Sequence, residues 1–200
     1  MKKIVIASNN PGKLREFGQL LQPFDFDAVP QSAMGVAEAE EPYATFVENA
    51  LVKARHAARA TGLPALADDS GICALALNGA PGVHSARYAG EPKSDQRNNE
   101  KLIAELKSHA DHRAFYYCTL VLVMHADDPR PLIADGDCHG IIVDTPRGAG
   151  GFGYDPYFFL PEYGLTAAEL APEIKNRIGH RGKAMQALAT KLRARTGAGS

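Results

Sequence analysis

The stretch over residues 65–71 (ALADDSG) constrains the fold most, because a short apolar run ends there in two adjacent carboxylates, Asp68 and Asp69. This pattern is typical of a buried strand that ends at the edge of a sheet and places acidic side chains there. Successive side chains of a strand point to opposite faces, so both carboxylates can face one ligand only if the strand has already ended. A divalent metal would offset the repulsion between them. The alternative is a solvated turn, since Asp, Ser and Gly are common turn residues.

Composition and charge exclude several classes of protein. The chain has 200 residues, of which 45% are hydrophobic and 22% charged, so it suits one sizeable globular domain rather than a disordered or fibrous chain. With 22 basic and 23 acidic residues its net charge is −1, so we expect neither nucleic acid nor membrane as a partner. Only four apolar residues lie between Lys3 and Ser8, too few for a signal peptide or a membrane span, and we therefore expect a cytoplasmic protein.

The three cysteines, Cys73, Cys118 and Cys138, are far apart and lie in apolar surroundings. They have no paired spacing of the kind that indicates zinc or a redox motif, so we expect buried free thiols. We expect one domain over residues 1–196 and a disordered tail over residues 197–200.

Strand and helix patterns alternate through the first part of the chain. Residues 3–7 and 24–29 predict strands, and the apolar spacing between them predicts a helix. A second helix begins after Thr45, which matches a capping box with Glu48, and ends before Gly62.

Polar segments beside these elements are candidates for binding. The loop over residues 8–13 (SNNPGK) precedes a helix, so its free N–H groups favour phosphate, and Lys13 adds a positive charge. It lacks the spacing of a Walker A loop, and the alternative is that it only starts the helix. The acidic loop over residues 37–42 is by default solvated. Asn49 and Lys53, four residues apart, line a site or form a solvated flank.

The middle of the chain contains a third apolar segment over residues 72–77, which ends in an Asn-Gly turn. The loop over residues 80–88 is too rich in Pro and Gly for regular structure, and its Arg87 is either a structural cation or a substrate contact. Ser94 or Asp95 caps another helix.

The following segments predict an antiparallel portion of the sheet. Residues 114–124 are almost continuously apolar and indicate a long buried strand. Residues 132–134 and 140–143 predict returning strands, with an interruption at the Asp-Gly-Asp between them.

A glycine-rich loop follows. Three glycines of residues 148–153 match the spacing of the dinucleotide fingerprint, but the next segment, 154–159, is strand-like, whereas the fingerprint must open a helix. A loop carrying Phe152, Tyr154 and Asp155 can instead let a flat ligand approach the backbone and stack on an aromatic ring. A β-bulge with core aromatics is an equally common explanation.

The C-terminal part carries two helix signals. Thr166 and Glu169 match a capping box, and apolar spacing predicts a final helix that begins near His180. Several hydrogen-bond donors lie near the start of this helix, namely the side chains of Lys175, His180 and Arg181. Such a group of donors suits a carbonyl oxygen or an anion. An ordinary solvated terminus is the alternative.

Six motifs therefore occur in a fixed order: SNNPGK at 8–13, FVENA with KA at 46–54, ADDSG at 67–71, PG and SAR at 81–87, GFGYDP at 151–156 and HR at 180–181. Together they resemble the inosine triphosphate pyrophosphatase family, from residue 3 to about residue 192. The resemblance implies Mg²⁺-dependent hydrolysis of the non-standard purine nucleotides dITP, ITP and XTP to a monophosphate and pyrophosphate. It also implies a homodimer of elongated, two-lobed α/β subunits, each with a long mixed sheet flanked by helices and a substrate cleft between its lobes.

The resemblance also implies roles for particular residues. Asp69 would be the proton acceptor and a metal-site residue, with Glu40 or Glu41 at the other acidic metal position and Asp68 supporting the metal's water shell. The phosphates would be held by Ser8, Asn9, Asn10, Pro11, Gly12 and Lys13, with help from Lys53. The nucleotide and its base would be contacted by Ser70, Phe152, Gly153, Tyr154, Asp155, Lys175, His180 and Arg181.

One position departs from the family pattern, because Gly179 stands where the family usually has Ser before its His-Arg pair. If that serine only caps the last helix, Gly costs a few tenths of a kcal/mol. Two other functions remain open: a related pyrophosphatase acting on modified or pyrimidine nucleotides, and a nucleotide-binding sensor without turnover.

Overall fold

A computed structural model describes residues 1–196, and the tail expected over 197–200 lies outside the described residues. Within them, one sheet contains seven strands: β1 (Lys2–Ile6), β2 (Phe26–Pro30), β3 (Ala65–Ala74), β4 (Arg113–Val123), β5 (Leu132–Ile142), β6 (Phe158–Leu160) and β7 (Leu165–Thr166). Their order across the sheet is β2-β1-β3-β4-β5-β6-β7. β1 pairs in parallel with β2 and β3, whereas β6 pairs antiparallel with β5 and β7. The sheet is mixed, as predicted, and includes the expected antiparallel portion.

The sheet is accompanied, within residues 1–196, by five α-helices: α1 (Pro11–Leu21), α2 (Phe46–Thr61), α3 (Asp95–Leu106), α4 (Pro172–Ile178) and α5 (His180–Thr196). The caps predicted for α2 and α3 are present. Thr45 accepts a hydrogen bond from the backbone N–H of Glu48 at the start of α2, and Ser94 caps α3 by accepting from Arg97. Gly62 ends α2 in the left-handed conformation, where a residue without a Cβ is favoured.

The described chain divides into two compact units. The first comprises residues 1–69, 118–136 and those from 183 onward, and the second comprises residues 70–117 and 137–182. Each of the strands β3, β4 and β5 contributes residues to both units. The expected single domain stays a prediction.

The core of the first unit shows why the last three residues of β1, 4–6, are all apolar. Ile4 and Ile6 lie in a buried cluster with Phe17 of α1, whereas Val5 lies in a second cluster with Ala54 of α2. Because side chains alternate along a strand, β1 is covered by a helix on each face. The small alanines of α2 allow this helix to pack closely against the sheet.

The second unit has its own buried cluster. Leu102 and Leu106 of α3, four residues apart and therefore on one face, are fully buried there with Ile72 of β3 and Phe158 of β6. Each unit thus buries an apolar core of its own.

Two strand predictions were wrong because charged residues interrupt apolar runs without ending the strand. β3 continues through Asp68 and Asp69 to Ala74, although the sequence suggested that it ended at the acids. β5 is also continuous, although an interruption was expected at residues 135–137. Asp135 there lies on the exposed face between buried neighbours, so the strand keeps its alternation.

Three local predictions also require correction. The loop expected over residues 80–88 contains a 3-10 helix at Gly82–Arg87. The strand expected over 154–159 begins with a 3-10 turn at Asp155–Tyr157, and only β6 follows it. Glu169 does accept hydrogen bonds from Thr166, but no helix starts there, because these residues form a turn after β7.

The cysteines agree with prediction, since Cys73, Cys118 and Cys138 are buried free thiols. Burial raises the pKa of the Cys73 thiol to about 11, which keeps it protonated and unreactive at neutral pH. Among the described helices, we find none that combines the length and apolar character needed to cross a membrane.

Candidate active site

The loop between β1 and α1 is held by its own side chains. Asn10 caps α1, since its Oδ1 accepts from the backbone N–H of Gly12 at 2.9 Å and of Lys13 at 3.2 Å. Ser8 Oγ in turn accepts from the N–H of Asn10. Asn10 therefore starts the helix, which was the alternative reading of this loop, and it occupies the N–H groups that were expected to be free for phosphate.

The other loop residues have different surroundings. Asn9 donates from Nδ2 to Glu38 Oε1 at 3.0 Å, which connects this loop to the acidic loop over residues 37–42. Pro11 is exposed at the first position of α1, where proline's missing N–H costs nothing. Lys13 extends its ammonium group away from the loop, toward β3.

Two lysine–aspartate pairs lie beside β3. Lys13 of α1 contacts Asp68, with its Nζ 3.0 Å from Oδ1 and 2.8 Å from Oδ2, and Lys53 of α2 contacts Asp69, with its Nζ 3.3 Å from Oδ1. Both aspartates are buried. Ser70 follows them in β3 and is half-buried.

The alternation of side chains along β3 determines which lysine each carboxylate contacts. Leu66 of β3 lies in the apolar cluster that contains α1, and Ala67 lies in the one that contains α2. Alternation then places Asp68 on the α1 side and Asp69 on the α2 side. The two acids therefore lie on opposite faces of β3, each with its own cation, and do not converge on one ligand from a strand end.

Burial and charge act against each other at the second pair. Desolvation raises the pKa of Asp69, and repulsion from Glu41 adds to this, while Lys53 opposes both. Burial by itself would lower the pKa of Lys53, but attraction to Asp69, Asp68 and Glu41 outweighs it and raises the pKa above 10.5. Lys53 therefore stays charged, and Asp69 becomes a stronger proton acceptor than an ordinary aspartate.

The acidic loop contributes one of its two candidate metal residues to this group. Glu41 contacts the Nζ of Lys53 and so joins Lys53 and Asp69. Glu40 is exposed and lines a separate pocket of about 550 Å³ with, among others, His56 and Arg59. The structure thus brings Glu41, and not Glu40, to the Lys53–Asp69 pair.

Asn49 has a role that its sequence position did not reveal. It is buried, and its side chain accepts from the N–H of Tyr43 at 3.0 Å and donates to the carbonyl of Tyr43 at 3.1 Å. This two-point contact fastens the acidic loop to α2. Asn49 therefore positions the backbone two residues from Glu41.

The residues around Asp69 fit a hard divalent cation. Asp69 Oδ2 is buried and has no hydrogen-bond partner among the residues that the structure describes. Carboxylate oxygens suit Mg²⁺, which needs only one or two of them beside phosphate and water. Across residues 1–196, no group of three or more His, Cys, Asp or Glu side chains is arranged to hold a metal ion. Asp69 and Glu41 are the carboxylates available to it.

In the second unit, Asp155 connects several of the residues predicted to surround the base. It is buried, and its Oδ2 accepts from the N–H of Phe152 at 2.8 Å and from Lys175 Nζ at 2.5 Å. Gly151 makes this possible, because a Cβ there would lie 2.2 Å from Asp155 Oδ2 and its φ is +75°. Phe152 itself is 67% exposed, and Lys175 lies over its ring.

Side chains of α3 hydrogen-bond both the N–H and the carbonyl of Gly153. Its N–H donates to Asp95 Oδ2 at 2.9 Å, and its carbonyl accepts from Asn99 Nδ2 at 3.0 Å. Tyr154 is buried, and its hydroxyl donates to the carbonyl of Ser85 at 2.8 Å. Phe152 is therefore the exposed aromatic of this loop, whereas Tyr154 belongs to the core.

Three residues of this cluster were missed in the sequence. Asp95 and Asn99 hold the glycine-rich loop, and their spacing of four on one helix face could have indicated a shared contact. Tyr116 of β4 donates to Asp155 Oδ1 at 3.3 Å and stacks on His180. A tyrosine in a long apolar strand gives no such signal.

The C-terminal residues meet at the start of α5. His180 is the first residue of α5, and both it and Arg181 are half-buried. At Gly179, a Cβ would lie 2.6 Å from the carbonyl oxygen of Lys175. A serine at this position would therefore require the backbone of α4 to shift, which gives a physical reason for the glycine in this chain.

Known proteins resemble this chain closely. The dITP/XTP pyrophosphatase of Neisseria meningitidis serogroup B is 64% identical over 192 residues, which cover 96% of each chain. That of Ralstonia nicotianae is 62% identical over 196 residues, which cover 96% of this chain and 98% of the relative.

Solved structures agree in fold. A HAM1 protein from Coxiella burnetii matches with a TM-score of 0.94 and 47% identity, over 97% of this chain and 100% of the other. The Staphylococcus aureus Ham1 protein matches with a TM-score of 0.90 and 40% identity, over the same shares of the two chains. The family model of the Ham1 family matches residues 4–191. The resemblance inferred from the six motifs is confirmed, and the chain belongs to the Ham1 family.

Proposed function

We propose that this chain is a nucleoside triphosphate pyrophosphatase that hydrolyses dITP, ITP and XTP to the monophosphate and pyrophosphate and requires Mg²⁺. Relatives at 62–64% identity over nearly the whole chain carry the name dITP/XTP pyrophosphatase, which supports the reaction and the substrate class. The observation in the structure that carries the proposal is the group formed by the buried Asp69 with the half-buried Lys53 and Glu41.

That group supplies what hydrolysis of a phosphoanhydride needs. A water that attacks phosphorus must lose a proton, and Asp69, whose pKa burial raises, is the residue to accept it. Bound Mg²⁺ would neutralise phosphate charge, with Asp69 and Glu41 as its protein ligands. Lys53 and Lys13 supply further positive charge for the phosphates. Because Asn10 occupies the first N–H groups of α1, the Lys13 side chain becomes the main phosphate contact of its loop.

Selection of the base follows from hydrogen-bond polarity. Hypoxanthine and xanthine carry a 6-keto acceptor, whereas adenine carries a 6-amino donor, so donors from His180 and Arg181 pair only with the former. A site built around such a bond can discriminate by roughly 10⁴-fold or more, because its buried donors are otherwise left unpaired. The exposed ring of Phe152 is available to stack on the base. Guanine shares the keto group, so its rejection requires a contact with the 2-amino group.

The assembly and location follow from the family resemblance and the composition. We propose a homodimer of single-domain subunits in the cytoplasm, with a small nucleotide as the ligand and neither nucleic acid nor membrane as a partner. Sedimentation analysis of the purified chain tests the oligomeric state.

Product analysis with dITP and Mg²⁺ tests the reaction. Pyrophosphate and dIMP are expected, whereas orthophosphate and dIDP would contradict the cleavage site. Faster hydrolysis of dTTP than of dITP would contradict the base selection, and tight dITP binding without turnover would favour a sensor. In a Mg²⁺ titration, Glu41→Gln should need a higher Mg²⁺ concentration for half-maximal activity than the wild type, because it lacks one carboxylate ligand. Glu40→Gln is the matched control and should need the wild-type concentration.

A further inference from the structure

Tyr116 of β4 touches two parts of the predicted base site at once. Its ring stacks on the imidazole of His180, with the ring centroids 4.9 Å apart and the planes inclined by 14°. Its hydroxyl donates to Asp155 Oδ1 at 3.3 Å. The two contacted residues lie 25 positions apart, one in the glycine-rich loop and one at the start of α5.

Each contact restricts a group that the proposed function uses. A near-parallel stack limits rotation of the imidazole about χ2, and so restricts the plane in which its two nitrogens lie. The hydroxyl contact fixes Asp155, whose other oxygen holds the N–H of Phe152 and the ammonium of Lys175. Tyr116 thereby acts on both the residue that reads the keto group and the loop that carries the stacking ring.

The hydroxyl is suited to this role because it stays protonated. Desolvation raises the pKa of Tyr116, and the nearby Asp155 carboxylate raises it further. A neutral phenol can donate to a carboxylate, whereas a phenolate would repel it. The Tyr116 hydroxyl is therefore protonated and able to donate at neutral pH.

We propose that Tyr116 is a positioning residue for recognition of the base: its ring orients His180, and its hydroxyl orients Asp155 and the loop at Phe152. The inference deepens the proposed function and rests on it. Tyr116 does not enter the chemistry at phosphorus, so its loss should act on substrate binding and selection rather than on the rate of hydrolysis.

Two substitutions separate the two contacts, and a third serves as the control. Tyr116→Phe keeps the stack and removes the hydroxyl, whereas Tyr116→Leu removes both. Tyr88→Phe is the matched control, because the Tyr88 hydroxyl also binds a carboxylate, that of Glu105, on the partly exposed side of the same unit. For each variant, kcat and KM are measured with dITP and with dATP at saturating Mg²⁺.

We expect a split between KM and kcat. A ring pair and a hydrogen bond each contribute about a 3- to 10-fold effect, so Tyr116→Leu should raise KM for dITP by about 10-fold or more with kcat nearly unchanged. The preference for dITP over dATP should fall in the same variant, because a freely rotating imidazole no longer selects the keto group. Tyr116→Phe should raise KM by about 3- to 10-fold and keep most of the preference. Tyr88→Phe should match the wild type.

The possible results separate this inference from the proposed function. A wild-type chain that releases no pyrophosphate from dITP would contradict the proposed function. An active wild type with unchanged KM and preference in Tyr116→Leu would overturn the positioning role alone, as would an equal loss of kcat for both nucleotides. If circular dichroism shows that Tyr116→Leu does not fold, Tyr116→Phe decides: an elevated KM for dITP supports the role, and a wild-type KM overturns it.

Discussion

At the scale of single residues, Asp68 and Asp69 have the same type of side chain but different neighbours. Asp68 meets Lys13 on one face of β3, and Asp69 meets Lys53 on the other. Glu41 also contacts Lys53, so an additional carboxylate that can share a metal lies beside the second pair. This difference is the structural reason to assign the proton transfer to Asp69.

Replacement of Asp69 by Asn tests that assignment. We expect turnover of dITP to fall by about 10²- to 10⁴-fold, the usual contribution of a general base, while nucleotide binding is largely retained. Calorimetric binding and pyrophosphate release would be measured on the same preparation. Asp127→Asn is the matched control, because Asp127 is an exposed aspartate of the same unit, and it should keep wild-type turnover. Near-normal turnover in Asp69→Asn would remove this residue from the mechanism.

The pKa directions of two buried aspartates predict opposite effects on stability. Burial raises the pKa of Asp69 above 3.8 in the folded chain, so the charged form is disfavoured and the wild type loses stability as pH rises through the folded pKa. Burial would also raise the pKa of Asp128, but hydrogen bonds from the N–H groups of Met124 and Arg130 outweigh it and lower the pKa below 3.8. Asp128 therefore contributes stability above pH 3.8 that is lost as pH falls through its folded pKa.

At neutral pH, Asp69→Asn should accordingly be more stable to urea than the wild type, and Asp128→Asn less stable. The difference in the free energy of unfolding between each variant and the wild type should shrink as the pH is lowered. For Asp69→Asn this difference should disappear below about pH 3.8. The measurement is the free energy of unfolding at several pH values. Two differences of the same sign at neutral pH would contradict the opposed pKa directions.

At the scale of elements, α2 depends on its first turn. Thr45 caps the helix through the N–H of Glu48, and the two side chains also contact each other. Thr45→Ala should lower the free energy of unfolding by about 1 kcal/mol, with Thr45→Ser close to the wild type. Lys53 lies two turns further on, so kcat should change little. Equal stability of the Ala and Ser variants would show that the cap contributes nothing here.

This helix was predictable because its signals are local. Thr45, Glu48 and Gly62 form their contacts within the helix and its ends, so the sequence contains all that decides them. β3 differs, since its two acids lie within the strand and are paired with Lys13 and Lys53, 55 and 16 positions away. No local pattern contains that information.

The same distinction explains the failed capping box. Thr166 and Glu169 make the side-chain contact that the pattern predicts, but the chain enters this turn from β7. The hydrogen bonds therefore close a turn instead of opening a helix. Local contacts were predictable there, whereas the element that they belong to depends on strand pairing with β6.

At the scale of the whole molecule, the predicted site residues fall into two sets, one in each compact unit. The loop over residues 8–13, Lys53, Asp69 and Glu41 belong to the first unit, and Phe152 to Arg181 belong to the second. The motifs identified both sets, because each is a short run with a recognisable composition. Asn49 in the first unit and Tyr116 in the second hold these sets in place. Asn49 lies within one of the motifs, but neither its contact with Tyr43 nor that of Tyr116 with Asp155 follows from the local sequence pattern.

The contact between Asn49 and Tyr43 has a consequence for motion. Asn49 and Lys53 are one helical turn apart on α2, and Asn49 grips the backbone next to the loop that carries Glu41. We expect these contacts to limit how far Lys53 and Glu41 can separate, because Asn49 fixes the backbone near Glu41 to the helix that carries Lys53. A narrower range of that distance would give Asp69 a steadier electrostatic environment than groups on separate segments could provide.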